Sequence, residues 1–156
     1  PEKIRAMSSY IIVRENGENV PVKAKKVLRI QGDGNYVTIR LKNRKVFCDQ
    51  VGSIGLWLGR LKNCGRFVLV NRSNIINYKR VVSFSRAGGV LVRLCSAREY
   101  LALLLMPDTP EKDAAVGKNT FRLRLSADGY IKLMFRFQNI FSAESAEGES
   151  PSPPAL

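Results

Sequence analysis

The chain has no histidine among its 156 residues. Histidine is the side chain that most often acts as a general base near neutral pH. No serine has an evident catalytic partner in its place, and Asp33 and Asp49 are isolated carboxylates. The segment GDGN also lacks the lysine of a phosphate-binding loop and lies between two β-forming runs. The sequence therefore predicts that the protein is not an enzyme and has no cofactor.

Cysteine and long apolar runs are also scarce, and both absences bear on where the protein works. Cys48, Cys64 and Cys95 are odd in number and form no Cys-x-x-Cys pair, so neither a zinc site nor a disulfide framework is expected. The apolar run Leu101–Met106 is too short to cross a membrane, and no signal peptide is evident. We therefore expect reduced thiols, no bound metal, no membrane association and a cytoplasmic location.

Acidic residues are few: 13 Asp and Glu stand against 26 Lys and Arg, which leaves a formal net charge of +13 and a pI near 10.1. Residues 142–156 hold three of these acids and no base, so the rest of the chain is more basic still. Such a charge attracts polyanions, of which nucleic acid is the commonest. A basic surface kept for solubility is the alternative, although surfaces of mixed charge are the usual solution to solubility.

The residues that are present favour β-strands. Val, Ile, Thr and Tyr dominate short runs, which are separated by turn signals such as Asn16-Gly17 and the segment 32–35. Only between Asp49 and Lys62 does the spacing of apolar residues become helical. The sequence predicts a mainly β fold of antiparallel hairpins with one short helix, plus a hairpin near the C-terminus.

The composition divides the chain into five segments. The composition shifts at Pro107, just after the run Arg98–Leu105, which is compatible with a strand or a short helix. Further on, Asp128-Gly129 predicts the turn of a late hairpin. The predicted segments are a basic leader (1–8), a β domain (9–106), a linker (107–118), a C-terminal β-hairpin (119–141) and a disordered, acidic, proline-rich tail (142–156).

In the stretch Arg66–Asn77, RFVLVNRSNIIN, a polar step interrupts an apolar run. Both the odd-numbered and the even-numbered residues are apolar here. Because alternate residues point to opposite faces of a strand, both faces of a strand pair are expected to meet apolar neighbours. The polar residues Asn71, Arg72 and Ser73 form either a turn that satisfies its own backbone or a loop that directs an arginine at a partner.

Five features follow one another between Tyr10 and Leu105: an opening hairpin, the segment IQGDGNYVTIRL, a short helix that ends before a phenylalanine, the motif Phe67–Asn77, and SAREY. In this order and spacing they resemble a LytTR-type DNA-binding domain of bacterial response regulators. The chain departs from the family in having Asn71 where a histidine is common, and in continuing beyond the domain.

The resemblance implies a transcription regulator with a mostly β fold, whose loops enter successive major grooves of double-stranded DNA. Base contacts are implied at Asn35, Arg72 and Arg98. Arg72 can donate two hydrogen bonds to guanine, and Asn35 offers the donor and acceptor that adenine needs. The residues expected to contact the DNA backbone or to support the loops are Lys25, Lys26, Arg40, Lys42, Arg44, Asn71, Ser73 and Asn77.

The implied partner is double-stranded DNA. The resemblance also leads us to expect direct repeats in the bound site, and it leaves open a homodimer on those repeats. Because the chain opens on Pro1 and not on Met, a missing upstream receiver or sensor domain is left open as well.

Two other functions remain as alternatives. One is a small RNA-binding β-barrel that stacks bases on Tyr36, Phe47 or Trp57. The other is a protein-interaction or dimerisation domain, which would use the strand edge of the C-terminal hairpin. On residue type alone, Asn35 also suits a plain turn position, and Arg72 an exposed arginine at a strand end.

Overall fold

The computed structural model of the chain describes residues 10–148, and the surroundings of side chains for residues 10–138. The predicted leader 1–8 lies outside the described residues. The strands are β1 (Tyr10–Glu15), β2 (Glu18–Lys23), β3 (Val27–Asp33), β4 (Tyr36–Leu41), β5 (Val46–Val51), β6 (Phe67–Asn71), β7 (Asn74–Asn77), β8 (Val81–Ser85), β9 (Gly89–Arg93) and β10 (Thr120–Leu123). The helices are α1 (Ile54–Arg60), α2 (Ala97–Leu104), α3 (Pro110–Lys118) and α4 (Ala127–Gly148).

The strands form three antiparallel sheets, and the predicted mainly β class is confirmed. β1 pairs with β2, the central sheet has the order β5-β4-β3-β7-β6, and the third sheet has the order β10-β9-β8. The predicted turn between β1 and β2 has Asn16 at φ 53° and Gly17 at φ 80°, the pair of positive angles that a two-residue hairpin turn requires.

Each face of the central sheet packs against its own core. One face places Ile30, Ile39 and Ile75 against β1, β2 and α1, where Trp57 is buried with its indole N–H donating to the Val51 carbonyl at 3.0 Å. Full burial of one such isoleucine contributes about 1.5–3 kcal/mol relative to exposure.

The second core lies on the opposite face of β6 and β7. Val68, Val70 and Ile76 contact Val90 and Val92 of the third sheet, together with Leu133 of α4. The two cores explain why odd- and even-numbered residues of the stretch Arg66–Asn77 are both apolar. Both faces of this strand pair meet apolar neighbours, as the sequence predicts.

The predicted C-terminal β-hairpin (119–141) is wrong. β10 is a strand, but it pairs with β9, and α4 follows it. Ser126 caps the start of this helix by accepting the Gly129 N–H at 2.9 Å. Tyr130, Leu133 and Phe137 then recur at helical spacing and contact the second core. The Asp-Gly pair is typical of a turn, but the apolar residues after it follow a helical period, and their burial favours the helix.

The predicted linker (107–118) is wrong as well, because most of it is α3. Thr109 caps this helix by accepting the Lys112 N–H at 3.3 Å, and Pro110 occupies the first turn, where its missing N–H costs nothing. With α2 and α4, the described part of the chain has four helices where the sequence predicted one. α4 continues to Gly148, so the first seven residues of the predicted disordered tail (142–148) are helical, while residues 149–156 lie outside the described residues.

We expect Gly59→Ala to raise the free energy of unfolding by up to about 1 kcal/mol, because glycine is a poor helix former. A Cβ at Gly59 meets no atom within 4 Å. Gly52→Ala provides the contrast. Gly52 has φ +126°, and a Cβ there would lie 2.9 Å from Nε1 of Trp57, so this change is expected to lower the free energy of unfolding. Chemical denaturation measures both, and a loss of stability in Gly59→Ala would contradict the structure of α1.

Candidate nucleic-acid interface

The loops at the two ends of the central sheet carry most of the predicted site residues. We call Gly34, Asn35 and residues 71–73 the turn end. The basic end consists of Lys25, Lys26, Lys42, Arg44 and Lys79, all of which are exposed. β3 joins the two ends with seven residues, so they lie about 20 Å apart at ~3.3 Å per residue.

At the turn end, two loops from distant parts of the sequence lie side by side. β3 pairs with β7, and the Gly32 N–H donates to the Ser73 carbonyl at 2.7 Å. The Gly52 N–H holds the carbonyl of Asn35 at 2.8 Å. Asn35 and Arg72 are both exposed. The structure therefore brings these two predicted base-contacting residues together on one surface.

Asn71 supports the arginine-bearing turn through its side chain. Its Oδ1 accepts the Ser73 N–H and the Asn74 amide, each at 3.0 Å, and its Nδ2 donates to the Arg124 carbonyl at 2.7 Å. Both polar atoms of this side chain are thus occupied inside the protein. The turn satisfies its own backbone, as the first interpretation of the polar step expects, and it leaves Arg72 exposed to solvent.

At the basic end, loops from separate hairpins are tied together. The Lys42 N–H donates to the Lys26 carbonyl at 2.9 Å, which joins the turn after β4 to the segment before β3. Arg44 has φ 70°, a conformation that glycine adopts more easily than arginine. Lys45, beside this cluster, forms an ion pair with Glu15 at 3.1 Å. The five exposed cations of the basic end therefore lie on loops at the same end of the central sheet.

Lys79 belongs to the basic end but is absent from the predicted site residues. Its position depends on Asn77, which is only 1% exposed. Asn77 accepts the Lys79 N–H at 3.1 Å and donates to the Val27 carbonyl at 3.4 Å. Asn77 is therefore a buried support for this loop. The sequence does contain a signal for the position of Lys79, namely a capping asparagine followed two residues later by a lysine.

Arg98 is exposed in the first turn of α2, and the structure does not bring it to Asn35 and Arg72. The buried guanidinium of Arg80 fixes this region by donating to the carbonyls of Arg93 (3.1 Å), Leu94 (2.7 Å) and Cys95 (2.9 Å). Arg80 ends the short helical turn between β7 and β8, next to Lys79, and Arg93 donates to the Lys79 carbonyl at 3.3 Å. The start of α2 therefore lies on the side of Lys79 and the basic end. Burial, with a smaller effect of the charge on Arg93, lowers the pKa of Arg80.

Arg40 is exposed near the end of β4, opposite Arg29. Arg29 is held by the Asn74 side chain, with Nε to Oδ1 at 3.0 Å, and by the ring of Phe121, 5.6 Å from its guanidinium carbon. Burial, followed by the charge of Arg40, lowers the pKa of Arg29. Arg40 is thus the member of this pair that faces solvent.

The structure weakens both alternative functions. Of the three candidate stacking residues, Trp57 and Phe47 are buried, at 3% and 5% exposure, and only Tyr36 is available at 50%. The dimerisation alternative relied on an edge of the late hairpin. Of that segment only β10 is a strand, at the edge of the third sheet, and most of the remainder is α4.

Within residues 10–148, no cluster of cysteine, aspartate and glutamate is placed to hold a metal ion. The three cysteines form no disulfide, and burial raises the pKa of the Cys64 thiol. No helix in the described range is long and apolar enough to span a bilayer.

Comparison with solved structures shows that the chain is similar to a known domain. A LytTr DNA-binding domain from Bacillus cereus aligns with a TM-score of 0.42 at 14% identity, over 63% of this chain and 98% of that one. This is the family that the motifs between Tyr10 and Leu105 resemble. No protein-family model matches the chain, and a search of curated proteins found no match.

Proposed function

We propose that this protein binds double-stranded DNA sequence-specifically and regulates transcription. The observation that carries the proposal is the basic end, where Lys26, Lys42 and Lys79 come from three loops that backbone and side-chain hydrogen bonds hold together. Fixed, exposed cations at this density suit the phosphates of a nucleic acid, because their binding releases condensed counterions.

The turn end supplies base recognition in this proposal. Arg72 donates a bidentate pair to O6 and N7 of guanine, and Asn35 pairs with N6 and N7 of adenine. The Gly32 N–H, which donates to the Ser73 carbonyl, and the Asn71 side chain, which accepts the Ser73 N–H, already hold the Arg72 loop in place. Little conformational entropy is then lost on binding, which favours affinity.

Arg98 contacts a different part of the duplex from Arg72. A duplex that lies along the strands of the central sheet meets the turn end and the basic end about 20 Å apart. Arg98, on the side of the basic end, then reaches a neighbouring groove or its flanking phosphates, and Arg40 contacts the backbone between the ends. The recognition elements are therefore loops and the first turn of a helix, in place of a single recognition helix.

The resemblance to LytTR-type domains supports the remaining parts of the proposal. The bound site consists of two direct repeats, each occupied by one copy of the chain, and an upstream receiver or sensor domain supplies the signal. A cytoplasmic location follows from a role on DNA.

A competition experiment tests the proposed function. Labelled duplex DNA of random sequence is bound to the full chain, and unlabelled duplex or single-stranded RNA is added at matched salt. Duplex DNA is expected to be the stronger competitor. Stronger competition by single-stranded RNA would replace the proposal with RNA binding, and no competition by either would remove nucleic acid as the partner.

A further inference from the structure

A groove lies at the outer edge of β6, between α1 and α4. It has a volume of about 670 Å³ and an apolar floor that includes Leu58, Phe67 and Leu69. We call it the edge groove. Phe135, at 63% exposure, lies on its rim. The apolar floor distinguishes it from the basic end, where the exposed side chains are cationic.

The floor of the edge groove is the free side of the first part of β6. Further along the strand, the Val70 carbonyl accepts the Ser126 N–H at 2.9 Å. Tyr78 donates its N–H to the Arg66 carbonyl, and Val68 is opposite Ile76. Because antiparallel partners alternate in the direction of their backbone groups, the N–H and C=O of Phe67 and Leu69 face away from β7 and into the groove. β7 is the only strand paired with β6 in the described part of the chain. Such an edge accepts an added strand.

The wall that α1 contributes is unusually flat. Gly55 and Gly59 both line the groove, and a Cβ at either position would meet no atom closer than 3.9 Å. Glycine costs each of these helical positions about 1 kcal/mol relative to alanine, and no contact with the described residues requires a glycine there. The absence of side chains leaves room for another backbone to approach β6.

The charge of the edge groove selects its occupant. Lys62, Lys132 and Arg136 line it, and none of the lining residues within 10–138 is acidic. Lys132 forms an exposed ion pair with Asp128 at 2.9 Å, which another carboxylate can replace at little cost because exposed pairs are weak. The polar side of an occupant is therefore acidic, while its other side matches the apolar floor.

We propose that the edge groove binds an extended acidic peptide of a partner protein, which adds to β6 as a strand. Alternate side chains of the peptide are apolar and contact Leu58 and Phe67, while the others are carboxylates near Lys62, Lys132 and Arg136. A second copy of the chain fits poorly, since each copy carries +13. The chain's own residues 142–156 contain three prolines and one apolar side chain larger than alanine, Leu156, so they suit a strand poorly.

A displayed library of random peptides, panned against the full chain, tests this proposal. Selected peptides are expected to alternate acidic and apolar residues, and a synthetic copy of one should shift the backbone amide resonances of Phe67 and Leu69. Gly59→Leu fills the groove and should weaken that peptide about tenfold or more. Gly117→Leu is the matched control, because Gly117 lies on α3 with no atom within 4 Å of a Cβ. Thermal unfolding of both variants separates blocking from misfolding.

Several results would overturn the proposal. These are a library without the acidic–apolar pattern, an affinity unchanged by Gly59→Leu, or resonance shifts confined to other strands. Tighter binding of a synthetic 142–156 peptide would assign the groove to the chain's own tail. Displacement of the peptide by duplex DNA would assign it to the DNA surface, and this outcome leaves the proposed function intact.

Discussion

Replacing Lys26 and Lys42 together by glutamate is expected to weaken binding to every duplex by on the order of 10²-fold at moderate salt. The two lysines lie side by side at the basic end, joined by a 2.9 Å backbone hydrogen bond. Each lost phosphate contact also takes about 0.9 from the slope of log affinity against log salt. The slope should therefore fall by about 2, and fluorescence anisotropy across a salt series measures both quantities.

A control of equal charge change separates the basic end from the general charge of the protein. Lys132→Glu with Arg86→Glu lowers the net charge by the same amount. The side chains of Lys132 and Arg86 contact Asp128 and Tyr130 near the start of α4, and the five residues of β8 separate Arg86 from Lys79 by about 16 Å. Only a small loss of DNA affinity is expected from this pair, because exposed charges more than ~10 Å away are screened at 0.1 M salt. Equal losses from both pairs would show that the phosphate contacts are not concentrated at the basic end.

Arg72→Ala is expected to lower affinity for the preferred duplex by about 1–3 kcal/mol while leaving binding to unrelated duplexes largely intact. This is the discrimination that one bidentate contact to a base provides. Fold stability should change little, because Arg72 is exposed and Asn71, not Arg72, makes the hydrogen bonds that hold the turn. Titration of matched preferred and scrambled duplexes measures the difference.

Arg86→Ala is the matched control for Arg72→Ala. Arg86 is also an exposed arginine in a hairpin turn, between β8 and β9, but its guanidinium packs on the ring of Tyr130 at 5.1 Å. We expect no loss of specificity in this variant. An equal loss on preferred and scrambled duplexes in Arg72→Ala would reduce Arg72 to a phosphate contact.

Local patterns predicted the strands well and the C-terminal region poorly. The turn at Asn16-Gly17 and the alternation in β4 are short-range signals, and both appear in the structure. At Asp128-Gly129 a local turn signal competed with burial of Leu133 in a core formed by β6, β7 and β9. Tertiary packing determined the outcome there, and Gly129 allows the helix to lie against the backbone of Val70.

The sequence predicts which residues belong to the candidate site, but not how they are arranged in space. Asn35 and Arg72 are neighbours only because β3 pairs with β7, a contact between segments far apart in the sequence. The same pairing separates them from Lys26 and Lys42. Arg98 is positioned by the buried Arg80, which sequence reasoning had no means to distinguish from an exposed arginine.

The most direct measurement of the central claim is an unbiased selection of duplexes bound by the full chain, with Arg72→Ala selected in parallel. The account predicts that the native chain enriches a defined motif, arranged as two direct repeats, and that Arg72→Ala relaxes it at one base position in each repeat. A native selection no more ordered than the starting pool would contradict sequence-specific DNA binding.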